Sequence, residues 1–213
     1  PIININKRHD FNEVFFSDAK APKENVVGDV HDGWRVANVL LGFERGHGAT
    51  TDAIRFREEL DRVSLIAQEN GVAEDPNMRQ DLARAHSKVD IMRWMGQRAV
   101  TEALAGNPPG PESSLHKLIW SEYHNWFTEK TMHILGAEAM APSGHGAVNG
   151  IGTDAIGVQF SSKSWVQTML GARPGTIYAG TSEVQRNIVG DRVLGLPREP
   201  RADSGPWNEI GKK

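Results

Sequence analysis

Cysteine is absent from the chain, which excludes disulfides, thiol nucleophiles and Cys-ligated metals. An excess of charge is missing too: 24 Lys and Arg face 27 Asp and Glu, for a formal net charge of −3. The basic footprint of a nucleic-acid-binding surface is therefore lacking. No apolar run reaches the roughly 18 residues that mark a membrane-spanning helix. The opening residues, PIININKRHD, carry neither a signal-peptide core nor an Arg- and Ser-rich transit pattern. A soluble, cytoplasmic protein is the default expectation. Without an initiator Met, and opening in mid-pattern, the chain reads as incomplete or processed.

Several chemical signatures are missing as well. The eight histidines form no His-Glu-x-x-His and no i, i+4 pair, so a helical zinc site has no support. His116, His124 and His133 share one predicted helix at wider spacings and read as surface or core-edge residues. No G-x-S-x-G occurs, so serine-hydrolase chemistry has no anchor. The stretch GIGTDA (150–155) mimics a dinucleotide fingerprint, but no strand precedes it and the required context fails. No internal repeat is found.

What is present is mostly helical. Residues 1–31 are the exception: PIININ and FNEVFFSDAKAP read as short strands, too few for an independent sheet. From Asp32 the apolar period becomes helical, through Val36, Val39, Leu40 and Phe43. It resumes with Ile54, Leu60 and Val63 and stops at Asn70-Gly71. A second helix begins at Asp75-Pro76, a cap followed by Pro at the first helical position, and runs through Leu82, Val89, Met92 and Met95 to the GNPPGP break. Met92, Trp94 and Met95 lie on more than one face, which predicts burial beyond a single bundle. A third helix covers Glu112 to Leu135, with Leu115, Leu118, Ile119, Trp126 and Met132 on its apolar side, and stops at Gly136. After a Gly-rich loop come a helix around Gln159–Leu170 and a last helix from about Thr181 to Leu194. Helices joined by short Gly/Pro breaks predict a mainly α fold, an up-and-down four-helix-type bundle.

Two stretches stand out chemically. In LLGFERGHGAT, Glu44 falls one turn after Leu40, near the apolar stripe, where desolvation raises a carboxyl pKa as a general base requires. Alternatively, Glu44 pairs with an Arg and the glycines mark a helix break. In GTIYAGTSEVQR (175–186), a glycine-flanked turn leads into a helix start with a hydroxyl cap and an early Glu. That is a common way for a helix to begin.

Together these residues say more. IYAGTSEVQRNIVGDRVLGLPRE closely resembles the C-terminal signature of the acyl-CoA dehydrogenases, flavoenzymes that desaturate acyl-CoA thioesters between Cα and Cβ. HDFNEVFFSDAKAPKENVVGDVHDGWRVANVLL is similar to that family's passage from a middle β-domain into its first C-terminal helix. HKLIWSEYHNWFTEKTMHILGAEA resembles its third bundle helix. The resemblance spans nearly the whole chain. It implies that residues 1–31 are the end of a β-barrel domain, that 32–213 form the helical bundle domain, and that the chain is about the C-terminal half of such an enzyme. By themselves these residues are expected to be inactive.

The resemblance also assigns roles. Many members carry the catalytic Glu immediately before the Gly-Thr of the turn, where Ala179 stands here. A subset places it on the first bundle helix before an Arg, which matches Glu44-Arg45. Glu44 is thus the implied base, with Arg45 beside it. Ala179 keeps the backbone N–H that bonds the thioester carbonyl, and Tyr178 and Gly180 lie next to the substrate. Thr181, Ser182 and Glu183 are implied to lie near FAD, and His133 to Gly136 to touch the FAD of a neighbouring subunit. Two departures accompany this: His133 replaces the usual Gln, and AQENGVAEDPNMRQ replaces the family's Arg-x-Phe-Gly flavin clamp. The family pattern further implies a homo- or heterotetramer, an acyl-CoA substrate and an electron-transferring flavoprotein as acceptor. The alternative is a non-catalytic or half-site subunit of a hetero-oligomer.

Overall fold

The computed structural model describes residues 1–44, 48–107, 110–144, 161–198 and 208. The motif at 150–155, Arg45 and the glycine at 46 lie outside them. Helix α1 spans Gly33–Glu44, α2 Gly48–Glu69, α3 Pro76–Leu104, α4 Ser113–Leu135, α5 Ala137–Met140, α6 Ser162–Ala172 and α7 Ser182–Ile188, which runs into a π turn at Val189–Val193.

Helix ends follow the local chemistry. The Asp75 carboxylate accepts from the N–H groups of Asn77 and Met78 at 2.7 and 3.2 Å, ahead of Pro76. Two of the donors that a helix start leaves unpaired are thus satisfied. α4 stops where Gly136 takes a positive φ of 57°. At α6, Ser161 and Ser164 form a reciprocal capping box.

Cross-helix contacts fix the bundle's sense. Asp52 meets His116, Glu59 meets His124, and Asn70 donates to the Ile134 carbonyl, so α2 and α4 run in the same direction. Asp81 pairs with Lys130 at 2.7 Å while Arg84 covers the Trp126 ring, so α3 runs opposite to α4. Gly175 and Arg173, just beyond α6, lie against Trp120 and Asn125 respectively, so α6 descends along α4. The order is up, down, up, down.

The core is built from Ala53, Phe56, Leu60, Val63 and Ala67 of α2, Ala85, Val89 and Met92 of α3, Tyr123, Phe127 and Ile134 of α4, and Trp165 of α6. Ile54, assigned to the apolar stripe from sequence, faces outward, and Phe56 takes the interior. The buried face of α4 is also more polar than its apolar period implies. Ser121, His124, Thr128 and Thr131 are all buried there. The threonines pack because their hydroxyls bond back to the i−4 carbonyl, Thr128 to His124 at 2.7 Å and Thr131 to Phe127 at 3.0 Å. His124 is 1% exposed, which corrects the expectation of a surface or core-edge histidine. His116 does sit at the core edge and His133 is exposed. Of the trio on α3, Met92 is in the core and Trp94 is exposed.

The strands expected in residues 1–31 do not form. One antiparallel bridge joins Ile2 to Phe11, and Phe15, Phe16, Val27 and Val30 stand in solvent. A strand needs a neighbour for its N–H and C=O groups, and these residues find none among those described. α1 likewise leaves Trp34, Val39 and Leu40 exposed. Among the described residues no helix is long and apolar enough to cross a membrane.

Candidate functional site

The turn at 177–181 is built between α6 and α7. A 3₁₀ turn, Arg173–Thr176, leads into it, and the N–H groups of Ile177 and Tyr178 both bond the Pro174 carbonyl at 2.9 and 3.0 Å. Gly175 lets this turn lie flat on α4, because a Cβ there would sit 3.3 Å from the Trp120 ring. Arg173 fastens the approach, donating to Glu129 at 2.5 Å and to the Asn125 carbonyl at 3.2 Å.

Ala179 and Gly180 then adopt positive φ angles of 53° and 93°. For alanine the left-handed region costs about 1–2 kcal/mol, so something outside the residue must hold it. Two side chains do. Lys117 Nζ donates to the Gly180 carbonyl at 2.6 Å, and Gln185 Nε2 donates to the Ala179 carbonyl at 3.0 Å. Among the described residues, neither Ala179 nor Gly180 spends its own N–H on a backbone carbonyl. α7 starts at once: Thr181 Oγ1 accepts from the Val184 N–H, and Arg186 pairs with Glu122 of α4.

The electrostatics around the turn are mixed. Desolvation lowers the Lys117 pKa, with Glu122 and Glu183 pulling the other way. The Glu183 carboxyl is held below its ordinary value by its own backbone N–H and by the Thr181 hydroxyl. Burial raises the Tyr178 pKa, against a lowering by Arg55 and with a smaller raising by Asp52. Tyr178 therefore lies within electrostatic reach of the first turns of α2, and its ring is 6.3 Å from that of Trp120. There Asp52 binds Arg55 at 3.3 Å and His116 at 3.1 Å.

This neighbourhood bears on Glu44. Glu44 ends α1, and its side chain, like the whole of Arg45, lies outside the described residues. Covalent geometry still limits it: four residues from Gly48, its Cα is no more than about 14 Å from the start of α2. The structure thus brings Tyr178, Ala179, Gly180, Thr181, Ser182 and Glu183 together and tethers Glu44 to the helix end beside them.

It does not bring His133 and Gly136 to the same place. They lie at the other end of α4, His133 sixteen residues beyond Lys117 and so about 24 Å away along the axis, and Gly136 just past the helix end. His133 there borders a recess with Val72, Asp75, Met78 and Lys130. Lys117, Trp120 and Gln185 were not flagged by sequence. Lys117 and Gly180 are 63 residues apart, and no local pattern signals that contact.

Ser182 Oγ is buried with no hydrogen-bond partner among the described residues. A buried hydroxyl without a partner carries a cost, and this one sits in the segment assigned to a cofactor.

Comparison with known proteins bears on the family and the fold. The family model for the acyl-CoA dehydrogenase C-terminal domain matches residues 31–194. Acyl-CoA dehydrogenase IpdE1 of Mycobacterium tuberculosis is 37% identical over 202 residues, covering 94% of this chain and 48% of the relative. A solved structure described as the Tcur3481-Tcur3483 steroid ACAD superposes with a TM-score of 0.68 at 26% identity, over 87% of this chain and 45% of that one. The ChsE4-ChsE5 complex from Mycobacterium tuberculosis shares the fold, with a TM-score of 0.64 at 23% identity over 87% of this chain and 46% of that one. The chain spans about half the length of these relatives. By the family match over residues 31–194, the chain belongs to the acyl-CoA dehydrogenase family.

Proposed function

We propose that the protein to which this chain belongs is a cytoplasmic, FAD-dependent acyl-CoA dehydrogenase that desaturates an acyl-CoA thioester between Cα and Cβ. The observation that carries this reading is the Ala179–Gly180 turn, held at positive φ with N–H groups that bond no backbone carbonyl among the described residues, beside the helix end that follows Glu44. Glu44 is the base that removes the α-proton, with Arg45 as its local charge partner. The Ala179 N–H bonds the thioester carbonyl and stabilises the negative charge that develops there as the proton leaves. Tyr178 and Gly180 line the substrate.

FAD fits the residues present. The unpartnered Ser182 hydroxyl offers it a buried polar contact, with Thr181 and Glu183 alongside. Bound there, it would supply an acceptor for the hydride lost from the β carbon. His133 and Gly136, at the far end of α4 from the turn, are consistent with contact to a flavin held by a neighbouring subunit. An electron-transferring flavoprotein is the proposed acceptor.

Residues 1–31 are read as the end of a β-domain and 32–213 as the bundle domain, assembled into a homo- or heterotetramer. An open groove of about 650 Å³ between α2 and α3, lined by Ala53, Ile54, Val89, Gly96 and Val100, supports packing of one bundle on another. A second reading, a non-catalytic or half-site subunit of a hetero-oligomer, is favoured by one observation. A capped α3 start at Asp75-Pro76 occupies the place of the family's flavin clamp.

The test is spectroscopic. The protein purified in its native assembly should be yellow, bleach when an acyl-CoA is added anaerobically, and recolour with an electron acceptor. A colourless protein that FAD cannot reconstitute would overturn the reading.

A further inference from the structure

Resting on the function proposed above, the geometry points to Lys117 as a positioning residue. It locks the Ala179–Gly180 turn in the conformation that presents its backbone N–H groups to the substrate carbonyl. The turn is costly: an alanine at φ 53° precedes a glycine at φ 93°, and the alanine alone stands about 1–2 kcal/mol above its relaxed conformation. Left alone, such a turn would rotate its peptide planes and lose its alignment. A hydrogen bond from a charged donor contributes about 1.5–3 kcal/mol net, enough to outweigh that strain. Lys117 supplies one to the Gly180 carbonyl at 2.6 Å, from a helix 63 residues away in sequence.

The consequence follows from peptide planarity. In a trans peptide the N–H points opposite to the C=O. Drawing the Gly180 carbonyl toward Lys117 turns the Thr181 N–H the other way. Drawing the Ala179 carbonyl toward Gln185 at 3.0 Å does the same for the Gly180 N–H. Lys117 and Gln185 together fix the two peptide planes that carry the Gly180 and Thr181 N–H groups and, with them, the Ala179 Cα from which the preceding Ala179 N–H projects toward the substrate. Gln185 belongs to α7 and is tied to the turn's own continuation. Lys117 belongs to α4 and references the turn to the rigid core.

Lys117 is suited to hold rather than to react. Its aliphatic stem is half-buried, and Glu122 and Glu183 flank it as countercharges. Glu122 is itself occupied by Arg186, so α4 holds the turn at Gly180 and α7 at Arg186. The chemistry needs donors aligned to within a few tenths of an ångström where charge develops. A second attachment resists the hinge motion that a single one allows.

The experiment uses the full-length holoprotein in its native assembly. Lys117→Met removes the donor and keeps the stem, and Lys117→Arg keeps a charged donor. Flavin reduction is followed with butyryl-, octanoyl- and palmitoyl-CoA and with the CoA thioester of a steroid side chain. Hydrogen exchange is read at the amides of residues 178–182. Lys117→Met is expected to lower kcat at least about tenfold, about 1.4 kcal/mol, with KM changed less than about threefold and flavin content retained. Exchange at 178–182 should accelerate at least about tenfold, and Lys117→Arg should recover most of both. Wild-type kcat in Lys117→Met, or a loss of kcat matched by an equal loss of flavin, would overturn the assignment. If no acyl-CoA reduces the wild-type flavin, the proposed function fails. The turn anchor is then judged by exchange alone, and unchanged exchange in Lys117→Met refutes it.

Discussion

Glu59 and His124 meet in the centre of the bundle, each 1% exposed, with Oε2 and Nε2 3.1 Å apart. They approach without hydrogen-bond alignment and pack α2 against α4. Removing one member of a buried pair strands the other and costs about 3–5 kcal/mol, whereas apolar replacement of both is far milder. Glu59→Leu should therefore lower the urea unfolding free energy by about that amount. Glu59→Leu with His124→Leu should be more stable than the single variant. A double variant no better than the single would show that volume, not charge, governs the position.

Tyr123 lies next to this pair, with its hydroxyl buried and without a partner among the described residues. Burial raises its pKa well above the ordinary value, and Glu59 adds to the effect. The folded state then holds the phenol proton at a pH where the unfolded chain releases it. Stability contributed by the neutral phenol is complete below the unfolded pKa of about 10 and is lost as pH rises beyond it. Tyr123→Phe should flatten the alkaline fall in melting temperature. At neutral pH it should be neutral or slightly stabilising, because an unsatisfied hydroxyl is removed. A marked neutral-pH loss in thermal melts would show that the hydroxyl is paired in the assembly.

Asp75 caps α3 at the end of the bundle away from the turn. Asp75→Ala should cost about 0.5–2 kcal/mol in chemical denaturation, and an unchanged unfolding free energy would contradict the cap.

A side chain at Gly180 would displace Gln185. At φ 93° a Cβ is strained, and the atom would run into Gln185 Nε2, the donor that holds the Ala179 carbonyl. Gly180→Ala should retain helical circular dichroism while flavin reduction falls at least about tenfold, a loss of roughly 1.4 kcal/mol in transition-state stabilisation. Normal reduction kinetics would mean that the turn tolerates rearrangement.

Much of the bundle was legible because its signals are local. The Asp75-Pro76 start, the Asn70-Gly71 stop and the Gly136 stop each state their chemistry within a few residues, and the structure places helix ends there. The strands at 1–31 were not, since alternation in PIININ and FNEVFF describes a strand only when a neighbouring strand completes it. The polar interior of α4 was also hidden. Ser, Thr and His read as a solvated face until helix packing and back-bonding to the i−4 carbonyl show that they are enclosed. At the candidate site the backbone turn was readable from Gly175, Gly180 and Thr181. Its anchors were not, because Lys117 reaches it only through the tertiary fold.

Glu44 is the central claim. The most direct measurement is the rate of flavin reduction by an acyl-CoA substrate in Glu44→Gln, with flavin content and melting temperature confirmed unchanged. Loss of a general base is worth about 10²–10⁴ in rate, so reduction is expected to slow by at least about a hundredfold. Reduction at the wild-type rate would contradict the assignment of Glu44 as the base.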